Sequence, residues 1–185
     1  MIELVGTPRN HLLWLVRHGE STWNALGRVQ REVAHPPLTA RGTTQAYAAG
    51  YALRDRKINR IVCSDAVRAR QTAQAMATVL GVRTTVDERL RERGWRRTGT
   101  LADADSHRPA RLEDPSERVR LVLFDLAAMD GSTAVVTHGD IVCAILDMLH
   151  ARDATTRQWR SGTDVPNGSV VVVNLRRLSR LVEFP

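Results

Sequence analysis

Two His-Gly pairs, His18-Gly19 and His138-Gly139, each follow a short apolar run, Leu12 to Val16 in one case and Ala134 to Thr137 in the other. Runs of this kind form buried strands. A third polar cluster, Ser64-Asp65 with Arg68, follows the run Ile58 to Cys63. An imidazole leaving a buried strand with Arg17 before it suits nucleophilic chemistry on an anion. The neutral ring attacks with one nitrogen, provided that the other is held as N–H, for which a backbone carbonyl serves. Arginine's planar fork matches phosphoryl oxygens. Together these residues point to phosphoryl transfer: His18 attacks in line, Arg17 grips the oxygens, and His138 donates to one of them. Arg68 falls in the first turn of a helix, where the dipole favours an anion; Arg70, two positions on, points elsewhere. Asn24 and the backbone near Ser21 offer further donors, and Gly19 permits a sharp turn and close approach to a ligand.

The elements that must position these groups alternate in type. Strands are predicted at 12–16, 58–63, 83–86 (an edge), 134–137 and 169–175, with 178–184 folding back as a hairpin. Helices are predicted at 40–57, with Thr39 as N-cap, at 66–80, ended by Gly81, and at 116–129 and 141–150. This alternation implies an α/β fold, a three-layer α/β/α sandwich around a mostly parallel sheet with an antiparallel edge strand. The length suits one domain over 1–185. The stretch 87–115, rich in Arg and Asp without sustained periodicity, reads as an irregular excursion over the active face. Ligands of such sheets bind at the carboxyl ends of the strands, where the three polar clusters fall.

Composition sets outer limits. Hydrophobic residues are 43% and charged residues 25% of the chain, as in globular domains. No apolar run approaches the roughly 20 residues of a membrane span, and no leader is recognisable at the start, so a cytoplasmic protein without a membrane partner is expected. Cys63 and Cys143 are the only cysteines; both lie in or beside apolar runs and read as buried free thiols. No Cys/His cluster has metal-ligand spacing, and neither a metal nor a cofactor is expected. The net charge of +7 is almost all arginine, Lys57 being the one lysine. Charge alone suits either an enzyme of phosphate esters or a nucleic-acid binder. No basic-aromatic recognition motif appears, so a small phosphate ester, not nucleic acid, is the expected partner.

These motifs resemble the histidine phosphatase superfamily, also called the phosphoglycerate mutase-like family. Its Arg-His-Gly hallmark is matched at Arg17 to Gly19. The resemblance continues through Glu20 to Asn24, Pro37-Leu38-Thr39 with Gly42, Ser64 to Ala73, and Thr137 to Gly139. It implies that His18 is the nucleophile, that Arg17, Arg68 and His138 complete a phosphate pocket, and that Ser21, Asn24 and Gly139 contact substrate. The family's general acid usually follows a Leu-x-Glu run, matched by Leu90-Arg91-Glu92, which makes Glu92 the proton donor and Glu88 its rival. The implied activity is hydrolysis of a small phosphomonoester through a phosphohistidine. The alternatives are a mutase, disfavoured by the short excursion after Glu92, and a noncatalytic anion- or nucleic-acid-binding module.

The chain departs from the family pattern at Arg31, where glycine is common, and at Ala34, His35 and Pro36, where an acidic residue is expected. It also departs at Arg93 to Arg97. The arginines at 89, 91, 93, 96 and 97 suggest either a solvated basic face or a rim that attracts a multiply charged substrate.

Overall fold

A computed structural model describes residues 12–31, 33–96, 111–150, 152, 156–161 and 165–175. Strand β1 spans Leu12–Arg17, followed by a single helical turn, α1, at Thr22–Ala25. Helix α2 (Ala40–Ala52), strand β2 (Ile58–Cys63), helix α3 (Val67–Leu80) and strand β3 (Thr84–Val86) come next. A 3-10 turn at Glu88–Leu90 precedes a two-stranded antiparallel ribbon of β4 (Trp95–Arg96) and β5 (Arg111–Leu112). The chain then forms α4 (Ser116–Ala128), β6 (Ser132–Thr137), α5 (Gly139–Leu149), a short α6 (Gln158–Ser161) and β7 (Val170–Asn174).

The main sheet has the order β3-β2-β6-β1-β7. All neighbours are parallel except β1 and β7, which run antiparallel at one edge. Side chains alternate between faces as a strand's twofold period requires. Leu13, Leu15 and Val135 pack with Val122, Leu123, Ile141 and Ile145 of α4 and α5. Val16, Ile61, Ala134 and Val136 pack with Ala49, Ala73 and Met76 of α2 and α3 on the other face. The result is the expected three-layer sandwich. Each fully buried leucine here is worth about 2–5 kcal/mol against alanine.

The helix boundaries follow local chemistry. The Thr39 side chain accepts from the Gly42 N–H and caps α2. Gly81 ends α3 with φ 68°, in the left-handed region that favours glycine. Small residues bring α2 and α3 together: a Cβ on Gly50 would stand 3.1 Å from Met76 Cα. Helix α2 stops five residues before the end predicted for it, because residues 53–57 turn instead to feed β2. The hairpin expected at 178–184 lies outside the described residues, as do residues 97–110 of the excursion.

Candidate active site

The parallel pairing of β1 with β6 sets the site. Arg17 is opposite Thr137, so the two chains leave the sheet side by side as His18 and His138. The His18 N–H continues the ladder onto Thr137 O at 2.9 Å. β2 lies on the far side of β6, and the Ser64 N–H reaches Val136 O at 3.0 Å. The three strand ends predicted to converge do so. The His18 and His138 rings meet edge to face with centroids 5.1 Å apart, and both side chains are buried.

Hydrogen bonds fix the state of His18. Its Nδ1 lies 2.7 Å from Gly19 O, a carbonyl that only accepts, so Nδ1 carries the proton. Its Nε2 receives the Arg68 Nε–H at 3.3 Å, and a guanidinium only donates, so Nε2 presents a lone pair. The ring is thus the neutral tautomer with its outer nitrogen nucleophilic. Burial first, then the Arg68 charge, lower its pKa from about 6.5 to about 3. His138 is also held well below the ordinary histidine range, by burial and then by His18 and Arg68.

Arg68 is the hub. It is 1% exposed in the first turn of α3. Nη1 donates to Val33 O at 2.9 Å, and Nη2 donates to Glu92 Oε2 at 2.9 Å and to His138 Nδ1 at 3.3 Å. Since His138 Nδ1 accepts, its Nε2 carries the hydrogen directed at Ser64 Oγ, 3.1 Å away. Glu92 Oε2 is 3.7 Å from His138 Nδ1. Burial and the nearby Asp140 charge raise the Glu92 pKa above the usual carboxylate range, with Arg68 opposing. Burial likewise lowers the Arg68 pKa, so both partners of this ion pair bear the cost of lost water. Glu88 sits outside this cluster, 71% exposed and 3.4 Å from Arg91 Nη2.

The remaining predicted residues surround this centre. Arg17 donates from Nη1 to Val165 O and lies against Gly139, where a Cβ would meet Arg17 Nε at 3.4 Å. Gly139 opens α5, directing that helix's first N–H groups toward the same strand ends. Ser21 and Asn24 are occupied with each other: the Asn24 N–H donates to Ser21 Oγ and the Ser21 N–H to Asn24 Oδ1, a capping box for α1. Ser21 Oγ also lies 2.8 Å from the buried Gln30 Oε1. In the structure these two side chains build the loop that carries His18 and do not join the imidazole network. Gly19 also serves close packing. Its chain crosses that of α2 so closely that a Cβ would fall 2.3 Å from Gly42 O.

Three further residues hold the two histidines. Thr72 Oγ1 accepts the Gly19 N–H at 3.0 Å and donates to Arg68 O at 2.8 Å. Asn167 Nδ2 donates to His18 O at 3.1 Å, and Ser64 orients His138 as above. Thr72 and Ser64 stood inside motifs already noted, whereas Asn167 belongs to none of them. Long-range contacts such as these leave no periodic signal.

The arginines of the predicted rim whose side chains are described are paired with carboxylates or buried. Arg89 is bound to Asp87 and Asp125, each at 2.7 Å, and Arg91 is paired with Asp65. Arg93 is 6% exposed, stacks over Trp159 and donates from Nε to Glu113 O. The side chain of Arg96 and all of Arg97 lie outside the described residues. His35 is exposed and meets the edge of Trp23. A cavity of about 630 Å³ opens over Arg68, Glu92 and His138. Cys63 and Cys143 are buried free thiols, each with its pKa pushed up to about 11 by burial. Among the described residues no group of three or more His, Cys, Asp or Glu side chains could hold a metal ion, and no helix is long and apolar enough to cross a membrane.

Known proteins share both sequence and fold with this chain. Residues 13–112 match the profile of the histidine phosphatase superfamily, branch 1. A Salmonella arizonae protein named "Probable phosphoglycerate mutase GpmB" is 35% identical over 154 residues, or 69% of each chain. The mycobacterial glucosyl-3-phosphoglycerate phosphatase, solved in complex with VO3, gives a TM-score of 0.72 at 27% identity over 88% of this chain and 90% of that one. A solved mycobacterial protein described as hydrolase 1 gives 0.73 at 26% identity over 89% of each chain. With its profile match running through both the Arg-His-Gly strand end and the Arg68 helix, the chain belongs to the histidine phosphatase superfamily, branch 1.

Proposed function

We propose that this enzyme hydrolyses a small phosphomonoester through a phosphohistidine on His18. The observation that carries the reading is the locked tautomer: Nδ1 bound to Gly19 O, and the Nε2 lone pair facing the guanidinium of Arg68. Arg68 donates to the nucleophile and to the acid, His18 and Glu92. An arriving phosphoryl group supplies better acceptors for the same fork. Arg68 turns to its oxygens, joined by Arg17 and by His138 in its other tautomer, with Nδ1–H toward the phosphoryl group and Nε2 accepting from the Ser64 hydroxyl, and releases both His18 Nε2 and the Glu92 carboxyl.

The chemistry then runs in two displacements. The Nε2 lone pair bonds to phosphorus as the ester P–O bond breaks, and protonated Glu92 gives its proton to the leaving alkoxide. Losing Arg68 and gaining a phosphate dianion both raise the proton affinity of Glu92, so it is protonated when needed. In the second step Glu92 carboxylate takes a proton from water, the water oxygen bonds to phosphorus, and the N–P bond breaks with its electron pair returning to Nε2. The products are an alcohol and inorganic phosphate. Glu92, not Glu88, is assigned because it alone of the two touches Arg68 and lies beside His138.

The name of the 35% identical Salmonella relative favours a second reading, a mutase that returns the phosphoryl group to another hydroxyl. The two are separated by assay. The protein is incubated with a panel of phosphate monoesters while phosphate release and isomerised ester are both measured, beside His18→Ala. Phosphate release that vanishes in His18→Ala, with an acid-labile and base-stable phosphoprotein trapped on quenching, is the expected result. Isomerised ester without net phosphate release establishes the mutase. Release that survives His18→Ala overturns both.

A further inference from the structure

Among the described residues, the mouth of the cavity beyond the phosphate pocket is charge-balanced, and the balance is built in pairs. Among the described residues, five guanidiniums and four carboxylates line the cavity. Arg68 in the floor is held by Glu92, and each of the other four guanidiniums is likewise held by a carboxylate of the protein. Arg31 Nη1 donates to Asp140 Oδ2 at 2.6 Å, and that carboxylate lies in the first turn of α5. Arg118 Nε is 2.7 Å from Glu113 Oε1 while its Nη2 donates to Glu113 Oε2 at 3.0 Å, a two-point pair. Arg91 Nε is 2.9 Å from both oxygens of Asp65. Arg89 is shared between Asp87 and Asp125.

A guanidinium saturated by a carboxylate has little field left for a second anion, and a like charge brought beside that carboxylate is repelled. What the paired rim does present is N–H donors next to carboxylate acceptors. Hydroxyl groups use both at once, since each donates one hydrogen and accepts two. The apolar Val33, Ala34 and Ala66 fill the gaps between the pairs, and the space of about 630 Å³ falls in the range of small-molecule sites. We infer that the part of the substrate beyond its single phosphate is an uncharged polyhydroxylated group, such as a sugar or polyol, and that esters with a second phosphate or a carboxylate are selected against. This inference rests on the hydrolase reading above.

The test compares kcat/KM at low ionic strength for two sets of monoesters. One set has neutral polyol leaving groups, with glucose 6-phosphate and glycerol 3-phosphate as probes. The other carries a second anion, with 3-phosphoglycerate and fructose 1,6-bisphosphate as probes. The neutral set is expected to lead by about tenfold or more, a pairwise like-charge effect of ordinary size. The Asp65→Asn variant, which removes the Asp65 charge paired with Arg91 at the rim, is expected to raise the ratio of kcat/KM for 3-phosphoglycerate to that for glucose 6-phosphate by about threefold to fivefold. Glu113→Gln, which releases Arg118, gives the same test should Asp65→Asn fold poorly. Phosphate release in which anionic esters equal or exceed the neutral ones, with no response to either variant, overturns this inference and leaves the hydrolase standing. Release from neither set overturns the hydrolase reading and this inference with it.

Discussion

Glu92→Gln isolates the proton that the mechanism needs. Glutamine keeps the shape of the side chain and an oxygen for the Arg68 Nη2–H now 2.9 Å from Glu92 Oε2, so the fold and the clamp survive. What it removes is the transferable proton. A positioned acid is worth about 10²–10⁴-fold when the leaving group is an alkoxide. It is worth little when the leaving group departs as a stable anion, as nitrophenolate does. The variant should therefore lose about a thousandfold in kcat on an alkyl ester and far less in the first step on p-nitrophenyl phosphate. On that activated ester a burst of nitrophenolate should precede slow turnover, because the second displacement still lacks its base. Burial raises the Glu92 pKa, so in the parent enzyme kcat on alkyl esters should fall as pH rises through that raised value, and the falling limb should vanish in the variant. Stopped-flow and steady-state assays on the two esters across pH measure all of this. Equal losses on both, with no burst and an unchanged pH limb, would refute Glu92 as the acid.

Acid should destabilise the fold through its histidines. The His18 pKa of about 3 lies below the ordinary value of about 6.5, so in this window the unfolded chain binds a proton that the folded chain does not. Stability is complete above the unfolded value and falls as pH drops through the window, by about 1.4 kcal/mol per pH unit for each such site. Melting curves between pH 7 and 4 should show this slope, and it should flatten in His18→Gln; identical slopes would refute the buried-neutral assignment. Gly42→Ala places a Cβ 2.0 Å from Glu20 O, a backbone atom with no freedom to yield. It should cost about 3 kcal/mol and lower activity by shifting the turn that carries His18. Gly94→Ala, with nothing within 4 Å of its Cβ, should leave denaturant midpoints unchanged. Equal stability of the two variants would refute the close crossing.

Local features of the sequence carried over well. The short apolar runs of β1 and β6 and the Thr39 and Gly81 caps identified the elements, and the rule that ligands gather at strand ends placed His18, Arg68 and His138 together. The features that did not carry over are pairings between distant residues. Arg91, one of a run of arginines that looked like a basic rim, is 26 positions from Asp65, and Arg31 is 109 from Asp140, so no local window contains both members of either pair. Asn167 meets His18 across 149 positions for the same reason. Gly19 could be read as exceptional, but whether its missing side chain made room for a ligand or for Gly42 depends on where α2 lands.

The pairing of β1 with β6 has a consequence of its own. Parallel strands stand about 4.8 Å apart because backbone hydrogen bonds have one length, and the two imidazoles that leave these strands have centroids 5.1 Å apart. The sheet is a ruler with a fixed graduation, and the gap between the two rings is read from it. Side chains beneath can be exchanged, and the mouth above can be rebuilt for another ester, without altering that reading. Only a slip of register would change it, and such a slip turns every inward-facing residue of β1 to the opposite layer. The part of this molecule proposed to attack phosphorus is thus insulated from the part that lines the mouth of the cavity.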